Sequence, residues 1–156
     1  MKVVVVVVGR ARGHLAAAID EYERRAGRNW KLAVVAVVQG GGGRSARASE
    51  VKTEEGERIL GKVPGSLELV ALTRAGSGMS SRKLAQYLQR HAVRSSPGVA
   101  FVIGGAYGLD DEVLKRARRS LSLSSMTLPH EMARLVLAEQ LYRAGTIVRG
   151  EPYHKG

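Results

Sequence analysis

Two uncharged segments in the last third of the chain have residue types suited to binding a ligand. The first is the turn at residues 104–108 (Gly-Gly-Ala-Tyr-Gly), which follows an apolar run at residues 99–103. Because glycine has no side chain, another molecule can approach the backbone closely at such a turn. The second is the loop at residues 123–128, which could form a wall for a flat, mostly apolar ligand. Together the two segments predict a binding pocket.

The sequence does not support several other kinds of chemistry. It contains no cysteine, and therefore no disulfide, thiolate nucleophile or sulfur metal site. It has neither an H-E-x-x-H motif nor a paired-carboxylate spacing, so we predict no metal site and no hydrolytic chemistry. A phosphate site after the glycine turn is disfavoured because Asp110, Asp111 and Glu112 begin the next helix. Those carboxylates stabilise the helix dipole themselves and would repel phosphate.

Two other glycine-containing turns fall short of known nucleotide-binding motifs. Residues 40–43 are all glycine and precede Arg44 and Ser45, but a phosphate-binding loop of the Walker type needs a lysine there. We interpret this stretch as a mobile loop in which Arg44 and Arg47 face solvent or phosphate. The turn at residues 9–13 lacks the middle glycine of a dinucleotide-binding fingerprint.

The balance of charge favours a polyanionic partner, since the formal net charge is +11. Most of the basic residues are arginine, which a GC-rich genome would also produce. With a single Phe and a single Trp, a base-stacking platform is not expected, so RNA would be held mainly through its phosphates. The candidate contacts are Arg10, Arg12, Arg44 and Arg47. The apolar run at residues 3–8 is far shorter than the ~20 residues of a membrane span. With no other segment resembling a targeting signal, we expect a cytoplasmic protein with no membrane partner.

Apolar runs alternate with helical patterns along the chain, which is typical of an α/β domain. The unalternating β-branched run at residues 3–8 indicates a strand buried on both faces of a parallel sheet. Further strands are predicted at residues 30–38, 67–72 and 99–103, with a short one before the uncharged loop. Helices are predicted from Leu15 to before Gly27, at residues 49–60 and 84–91, after residue 110 and, started by Pro129, near the end, with a polar loop at residues 73–80. We predict one domain over residues 1–156, with a mostly parallel sheet, helices on both faces and right-handed crossovers.

The long helix after Pro129 is apolar on more than one face. A helix that is apolar nearly all round is buried. In a domain of this size we expect a second subunit to cover one face, which predicts a two-fold homodimer. The alternative is a central core helix in a monomer. The apolar residues concerned are Met132, Leu135, Val136, Leu137, Ala138 and Leu141.

Four motifs in this part of the chain carry a family resemblance. They are I-G-G-x-x-G-L, S-L-S-x-x-T-L-P-H, L-x-E-Q-L-Y-R-A and the terminal P-Y-H. In order and spacing they resemble the RlmH family of SPOUT-class methyltransferases, which use S-adenosylmethionine to methylate N3 of a pseudouridine in large-subunit (23S) ribosomal RNA. The resemblance covers essentially the whole chain, since M-K-V at the start and E-G-E-R-I-L at residues 55–60 also fit. It implies a C-terminal trefoil knot, in which the chain after Gly104 threads through a loop.

The resemblance also implies which residues hold the methyl donor. An adenine suits an apolar slot with backbone hydrogen bonds, and the donor's sulfonium is destabilised by nearby cations. The two pocket segments contain no Lys or Arg, which agrees with that requirement. The implied cofactor-binding residues are Leu72, Gly104, Gly105, Leu123, Ser124, Ser125, Met126, Thr127 and Leu128.

For the RNA acceptor, the resemblance implies His130, Arg143, Tyr153 and His154 as the catalytic residues. N3 of a pseudouridine is a weakly acidic imide, so a histidine or a tyrosine hydroxyl could assist the departure of its proton. Other roles stay open, because His130 could cap its helix, Arg143 could complement the helix dipole, and a terminal tail is usually unordered. The resemblance implies that the tail of one subunit closes over the cofactor of the other, and we expect the tail to become ordered only on docking or RNA binding.

One segment departs from the family pattern, and two rival functions share part of it. Residues 73–77 read Thr-Arg-Ala-Gly-Ser where many members carry an acidic residue and a Gly-Lys pair, so substrate contacts there differ. A non-catalytic ribosome-binding protein would share the charge but would not need the glycine turn and the T-L-P-H loop together. A SPOUT enzyme acting on transfer RNA would share the pocket but not the P-Y-H tail.

Overall fold

A computed structural model describes residues 1–41 and 47–155 of the chain. The strands in these ranges are β1 (Lys2–Val8), β2 (Lys31–Val37), β3 (Glu68–Gly78), β4 (Gly98–Ile103) and β5 (Arg119–Ser122). The helices are α1 (Ala16–Asn29), α2 (Ala48–Lys62), α3 (Ser81–Val93), α4 (Asp111–Arg116) and α5 (His130–Arg149), and a short 3-10 turn at Gly13–Leu15 precedes α1. The predicted alternation of strands and helices is confirmed.

The strands form a single five-stranded sheet in the order β2-β1-β4-β3-β5, and every neighbouring pair is parallel. The predicted parallel sheet is therefore confirmed, with β4 at its centre. The start of β4 requires glycine, because Gly98 has a φ of +144° and a Cβ there would lie 1.9 Å from the carbonyl oxygen of Lys2. Strands β1 and β4 therefore come together closely at this edge.

Helices cover both faces of the sheet, as predicted. The side chains of Val3, Val5 and Val7 pack under α1, α3 and α5, whereas Val4 and Val6 pack under α2 and α4. Because side chains alternate along a strand, a run of valines supplies both cores at once. Each fully buried valine stabilises the fold by about 1.5–3 kcal/mol relative to an exposed one.

The long helix α5 lies against α1 and α3 of its own chain. The indole nitrogen of Trp30 donates a buried hydrogen bond of 2.7 Å to the carbonyl oxygen of Leu141. The guanidinium of Arg134 forms two hydrogen bonds of 2.8 and 3.0 Å with Glu23 on α1. Intrachain packing therefore accounts for part of the broad apolar surface of α5, and the homodimer and the trefoil knot stay predictions.

The structure corrects three predicted boundaries. Helix α1 continues past Gly27 to Asn29, because a solvent-exposed glycine costs a helix only about 1 kcal/mol. Strand β3 runs to Gly78, where a polar loop was predicted, since the strand pairs with β5 again after an irregularity between Leu72 and Ser77. Pro129 occupies the cap position of α5 rather than its first turn.

Within the described ranges, no helix is long and apolar enough to cross a membrane.

Candidate functional site

A cavity of about 440 Å³ lies at the edge of the sheet where the strands end. It is bounded by the ends of β3 and β4, the glycine turn at residues 104–108, the loop at residues 123–128 and the start of α5. In open parallel sheets, ligands bind outside the carboxyl ends of the strands, and this cavity has that position. The two segments that predicted a pocket from the sequence thus lie on the same cavity.

Most of the implied cofactor-binding residues line this cavity. Ser125 is exposed and does not line it. The amide of Met126 donates to Oγ of Ser124 at 2.9 Å, and this tight turn leaves Ser125 at its tip. The lining residues from the implied set are Leu72, Gly104, Gly105, Leu123, Ser124, Met126, Thr127 and Leu128.

The glycines of the turn are required by their surroundings. A Cβ on Gly104 would lie 2.6 Å from the backbone carbon of Gly108, and a Cβ on Gly105 would lie 2.9 Å from Oε1 of Glu55. Gly108 has a φ of +84° and its amide donates to the carbonyl oxygen of Gly105 at 3.1 Å. At its glycines the turn therefore presents backbone to the cavity, while Tyr107 lies at the mouth.

Glu55 is a residue of this region that the sequence analysis missed. Its side chain is 2% exposed, and Oε2 accepts a hydrogen bond of 3.0 Å from the amide of Gly40. The other oxygen, Oε1, is buried without a hydrogen-bond partner in the part of the chain that the structure describes. Helix α2 carries many charged residues. Val51, Glu55 and Ile59 nevertheless follow one another at intervals of four, which places Glu55 on the buried face of the helix.

One basic side chain lies at the cavity, which the two pocket segments alone did not predict. Arg74 enters the lining because β3 continues beyond residue 72. Its Nη1 donates a hydrogen bond of 3.0 Å to Oγ1 of Thr127, and the side chain is exposed at the mouth. The expectation of a site without cations therefore holds for the two segments but not for the mouth of the cavity.

Of the four predicted catalytic residues, only His130 lines the cavity. His130 is the exposed first residue of α5, and Pro129 rather than His130 occupies the cap position. The other three lie together farther along α5. Arg143 contacts Glu139 through Nη2 and Oε1 at 2.5 Å, and the hydroxyl of Tyr153 donates to the same oxygen at 3.0 Å.

The environment of this second group changes its proton chemistry. Burial raises the pKa of Tyr153, and the neighbouring Tyr22 and Glu139 raise it further. The hydrogen bond with Glu139 raises the pKa of Arg143. Nδ1 of His154 is buried and has no hydrogen-bond partner among the residues described. Tyr153 therefore keeps its proton at neutral pH, whereas the ring of His154 has one nitrogen unengaged.

Within one chain, the tail does not reach the cavity. Glu139 lies nine positions after His130 on α5, which corresponds to about 13 Å along the helix axis. The ring of Tyr153 instead packs 4.6 Å from the ring of Tyr142, measured between centroids. We expected this tail to become ordered only on docking or RNA binding, but here it already packs on the helix that precedes it.

The arginines predicted to contact RNA lie on exposed surface where the structure describes them. Arg10 and Arg12 follow β1 near the start of α5, and the amide of Arg12 donates to Oε1 of Glu131 at 3.1 Å. Arg47 is exposed at the start of α2. Arg44 and the middle of the glycine stretch lie outside the described residues. Across the described residues, no group of three or more His, Asp or Glu side chains could hold a metal ion.

Comparisons with known proteins find relatives that match almost the whole chain. A family model described as "Predicted SPOUT methyltransferase" matches residues 1–154. Proteins named "Ribosomal RNA large subunit methyltransferase H" from Gemmatimonas aurantiaca and Syntrophotalea carbinolica are 49% and 46% identical, and the first match covers 99% of this chain and 100% of the relative. The second covers 99% of each chain.

A third relative of that name, from Clostridioides difficile, is 42% identical over 99% of this chain and 100% of its own length. Among solved structures, a probable methylase family protein from Haemophilus influenzae aligns with a TM-score of 0.52. That match covers 99% of this chain and 70% of the other, at 15% identity, and supports the fold alone.

Proposed function

The chain belongs to the SPOUT methyltransferase family, and we propose that it transfers a methyl group from S-adenosylmethionine to N3 of a pseudouridine in large-subunit (23S) ribosomal RNA. The earlier resemblance to the RlmH family is confirmed by the full-length relatives. The single observation that carries the proposal is that these relatives match over 99% of the chain at 42–49% identity. The substrate would be met in the cytoplasm as ribosomal RNA or as an assembled ribosome.

The residues around the cavity fit S-adenosylmethionine as the methyl donor. A volume of about 440 Å³ suits a nucleoside-sized ligand. Leu72, Leu123 and Leu128 offer apolar walls, while the turn at residues 104–108 offers backbone hydrogen-bonding groups where a side chain would collide. The cofactor supplies an electrophilic methyl group on a sulfonium. The low charge of the walls suits such a cation, and Arg74 at the mouth is held by Thr127.

Methylation of an imide nitrogen requires that a proton leave the acceptor. His130 at the cavity and His154 in the tail are the candidates to hold that proton, since a neutral imidazole nitrogen can accept one. Tyr153 keeps its own proton and donates a hydrogen bond to Glu139, so it would help to hold the Glu139–Arg143 pair in place and would not take the proton. Arg143, already oriented by Glu139, would bind a phosphate or a carbonyl oxygen of the RNA.

We further propose a homodimer in which the tail of one subunit completes the cavity of the other. The separation of about 13 Å between His130 and Glu139 supports this arrangement, because one chain does not bring both halves of the predicted site together. Two large apolar side chains at the cavity mouth, Tyr107 and Met126, are 54% and 76% exposed. A second subunit or the RNA would cover them.

The experiment that tests this function is mass spectrometry of ribosomal RNA from cells that lack the gene. We expect one methyl-pseudouridine to disappear from the large subunit and to return when the wild-type gene is supplied, but not when Gly105→Arg is supplied. Loss of a methyl group from transfer RNA would assign the enzyme to another substrate. Unchanged methylation of all RNA would favour a non-catalytic ribosome-binding protein.

A further inference from the structure

A second cavity, of about 370 Å³, lies at the opposite edge of the sheet, where β3 and β5 begin. Two arginines at the end of α3 form one wall and two at the start of β5 form the other. We call this cavity the arginine cleft. Its charged lining residues are Glu68, Arg90, His91, Arg94, Arg118 and Arg119.

Two hydrogen bonds and one longer contact join the residues of the floor of the arginine cleft. The hydroxyl of Tyr87 donates to Oε1 of Glu68 at 2.6 Å, and burial together with this bond raises the pKa of Tyr87. Nδ1 of His91 lies 2.9 Å from Oγ of Ser96, and Nε2 of the same ring lies 3.7 Å from Glu68. The one carboxylate of the cleft is therefore engaged by the floor.

The walls are fixed by the backbone. The amide of Arg118 donates to the carbonyl oxygen of Leu69 at 2.9 Å, and Arg119 lies opposite Val70 in the β3–β5 ladder. The guanidinium carbon of Arg119 lies 4.9 Å from the centre of the Tyr87 ring. The dipole of α3 favours cations at its C-terminal end, which gives a structural reason for Arg90. It gives none for the arginines of β5.

Charge neutralisation distinguishes these arginines from others in the protein. Arg25 pairs with Glu21, Arg58 with Glu54, and Arg134 with Glu23. For the four arginines of the cleft, no ion pair is formed with any residue in the described ranges. Like charges held together without neutralisation repel one another, and this repulsion makes the folded state less stable. An occupant carrying several negative charges would remove that cost.

We propose that the arginine cleft is a second RNA contact, in which guanidinium groups bind phosphate oxygens of the substrate RNA away from the modified nucleotide. The inference rests on the proposed function, since it takes RNA as the substrate. Guanidinium groups bind phosphate through paired hydrogen bonds. From Arg119 to Leu123 the chain advances four residues, or about 13 Å, so one nucleotide does not reach both sites.

Two observations favour RNA over a protein partner. The formal net charge of +11 favours a polyanion over an isolated acidic side chain. Protein interfaces also rely on exposed aromatic or aliphatic anchors at their centres, and the one aromatic ring of the cleft besides His91, Tyr87, is 4% exposed.

The test compares two variants that lose the same charge. Arg90→Gln with Arg118→Gln removes one guanidinium from each wall of the cleft. The control, Arg25→Gln with Arg58→Gln, removes two guanidiniums that pair with carboxylates of their own helices. Binding of a 23S ribosomal RNA transcript is measured between 50 and 200 mM salt, about the range over which phosphate contacts change affinity most clearly. Binding of S-adenosylmethionine and the melting temperature are measured in parallel.

Log affinity falls as log salt rises, and we expect the cleft variant to make this fall less steep by about 1.4–1.8. The control should change the steepness by much less. Cofactor affinity should be unchanged, and the melting temperature should be equal or higher because like charges are removed. Equal slopes for the cleft variant and the control would overturn the proposal. So would weakened binding to assembled ribosomes with unchanged binding to the transcript, which would indicate a ribosomal protein. Wild-type protein that binds cofactor but no RNA would instead overturn the RNA substrate of the proposed function.

Discussion

At the C-terminal edge of the sheet the walls consist of glycine backbone and mostly uncharged side chains, whereas at the N-terminal edge four arginines line a cleft. Strand polarity explains part of this difference. Chains leave the strands through turns such as residues 104–108, while helix C-termini, where cations are favoured, lie at the other edge. A domain of this size can therefore offer both a weakly charged slot and a strongly cationic surface, because about 13 Å of sheet separates them.

The largest expected effect concerns the weakly charged edge. Gly105→Arg should reduce the affinity for S-adenosylmethionine more than about 100-fold, because a Cβ there would lie 2.9 Å from Oε1 of the buried Glu55 and the turn that lines the cavity would have to shift. Isothermal calorimetry measures this, with thermal unfolding to verify the fold. Gly65→Arg is the matched control, since a Cβ at Gly65 meets no atom within 4 Å. Wild-type protein that gives no heat with millimolar cofactor would contradict the proposed cofactor.

The second prediction tests whether the weakly charged edge is complete in one chain. Deleting residues 152–156 should leave cofactor binding intact and remove methyl transfer, because Tyr153 and His154 are lost. Mixing this variant with Gly105→Arg, after unfolding and refolding together, should restore activity. Random pairing gives half heterodimers with one complete site each, or about a quarter of wild-type activity. No activity from verified heterodimers would show that the site lies within one chain.

The third prediction concerns the support beneath the glycine turn. Glu55→Ala removes the acceptor of the Gly40 amide and leaves a void, which should lower the free energy of unfolding by about 1–3 kcal/mol. Glu54→Ala is the control, because Glu54 accepts a similar bond of 3.0 Å from Gly41 at an exposed position. Its effect should stay below about 0.5 kcal/mol. Urea unfolding compares the two, and equal losses would mean that burial of Glu55 contributes nothing.

The smallest effect is expected for single arginines beside the cavity. Arg10→Gln should make the fall of log affinity for RNA with log salt less steep by about 0.7–0.9, the value of one phosphate contact. Arg10 is exposed near His130, where the RNA acceptor would lie. Arg24→Gln serves as the control because Arg24 pairs with Glu21. A wild-type affinity that stays constant between low and physiological salt would rule out phosphate contacts at both edges.

The sequence predicted the elements of the fold better than their ends. A run of valines at residues 3–8 indicates a strand covered on both faces, because that composition is unfavourable elsewhere. The continuation of β3 through Thr73 and Arg74 was not predictable from that segment alone. Both residues are polar, Arg74 is exposed, and both lie in the irregularity after Leu72. The strand continues past them only because Ser77 and Gly78 pair with β5, more than 40 residues later.

At the two edges of the sheet, too, contiguous segments could be predicted more easily than residues that only the fold brings together. The glycine turn and the uncharged loop were recognisable because each is a contiguous segment with an unusual composition. Glu55 was concealed by the charged residues around it, although its spacing from Val51 and Ile59 contained the signal. The arginine cleft was not predicted, because the net charge gives the excess of cations but not which distant residues the fold brings together.

The hydrogen bond between Trp30 and Leu141 has a consequence for how the protein is made. The bond joins residues 111 positions apart, and β1 likewise needs β4, which begins at Gly98. β1 can pair with β2 early, but its second neighbour β4 and the partner of Trp30 on α5 are synthesised much later. Folds dominated by such distant partners form slowly. We expect this one to be completed only once α5 has been synthesised, with part of its N-terminal core exposed to proteases and chaperones until then.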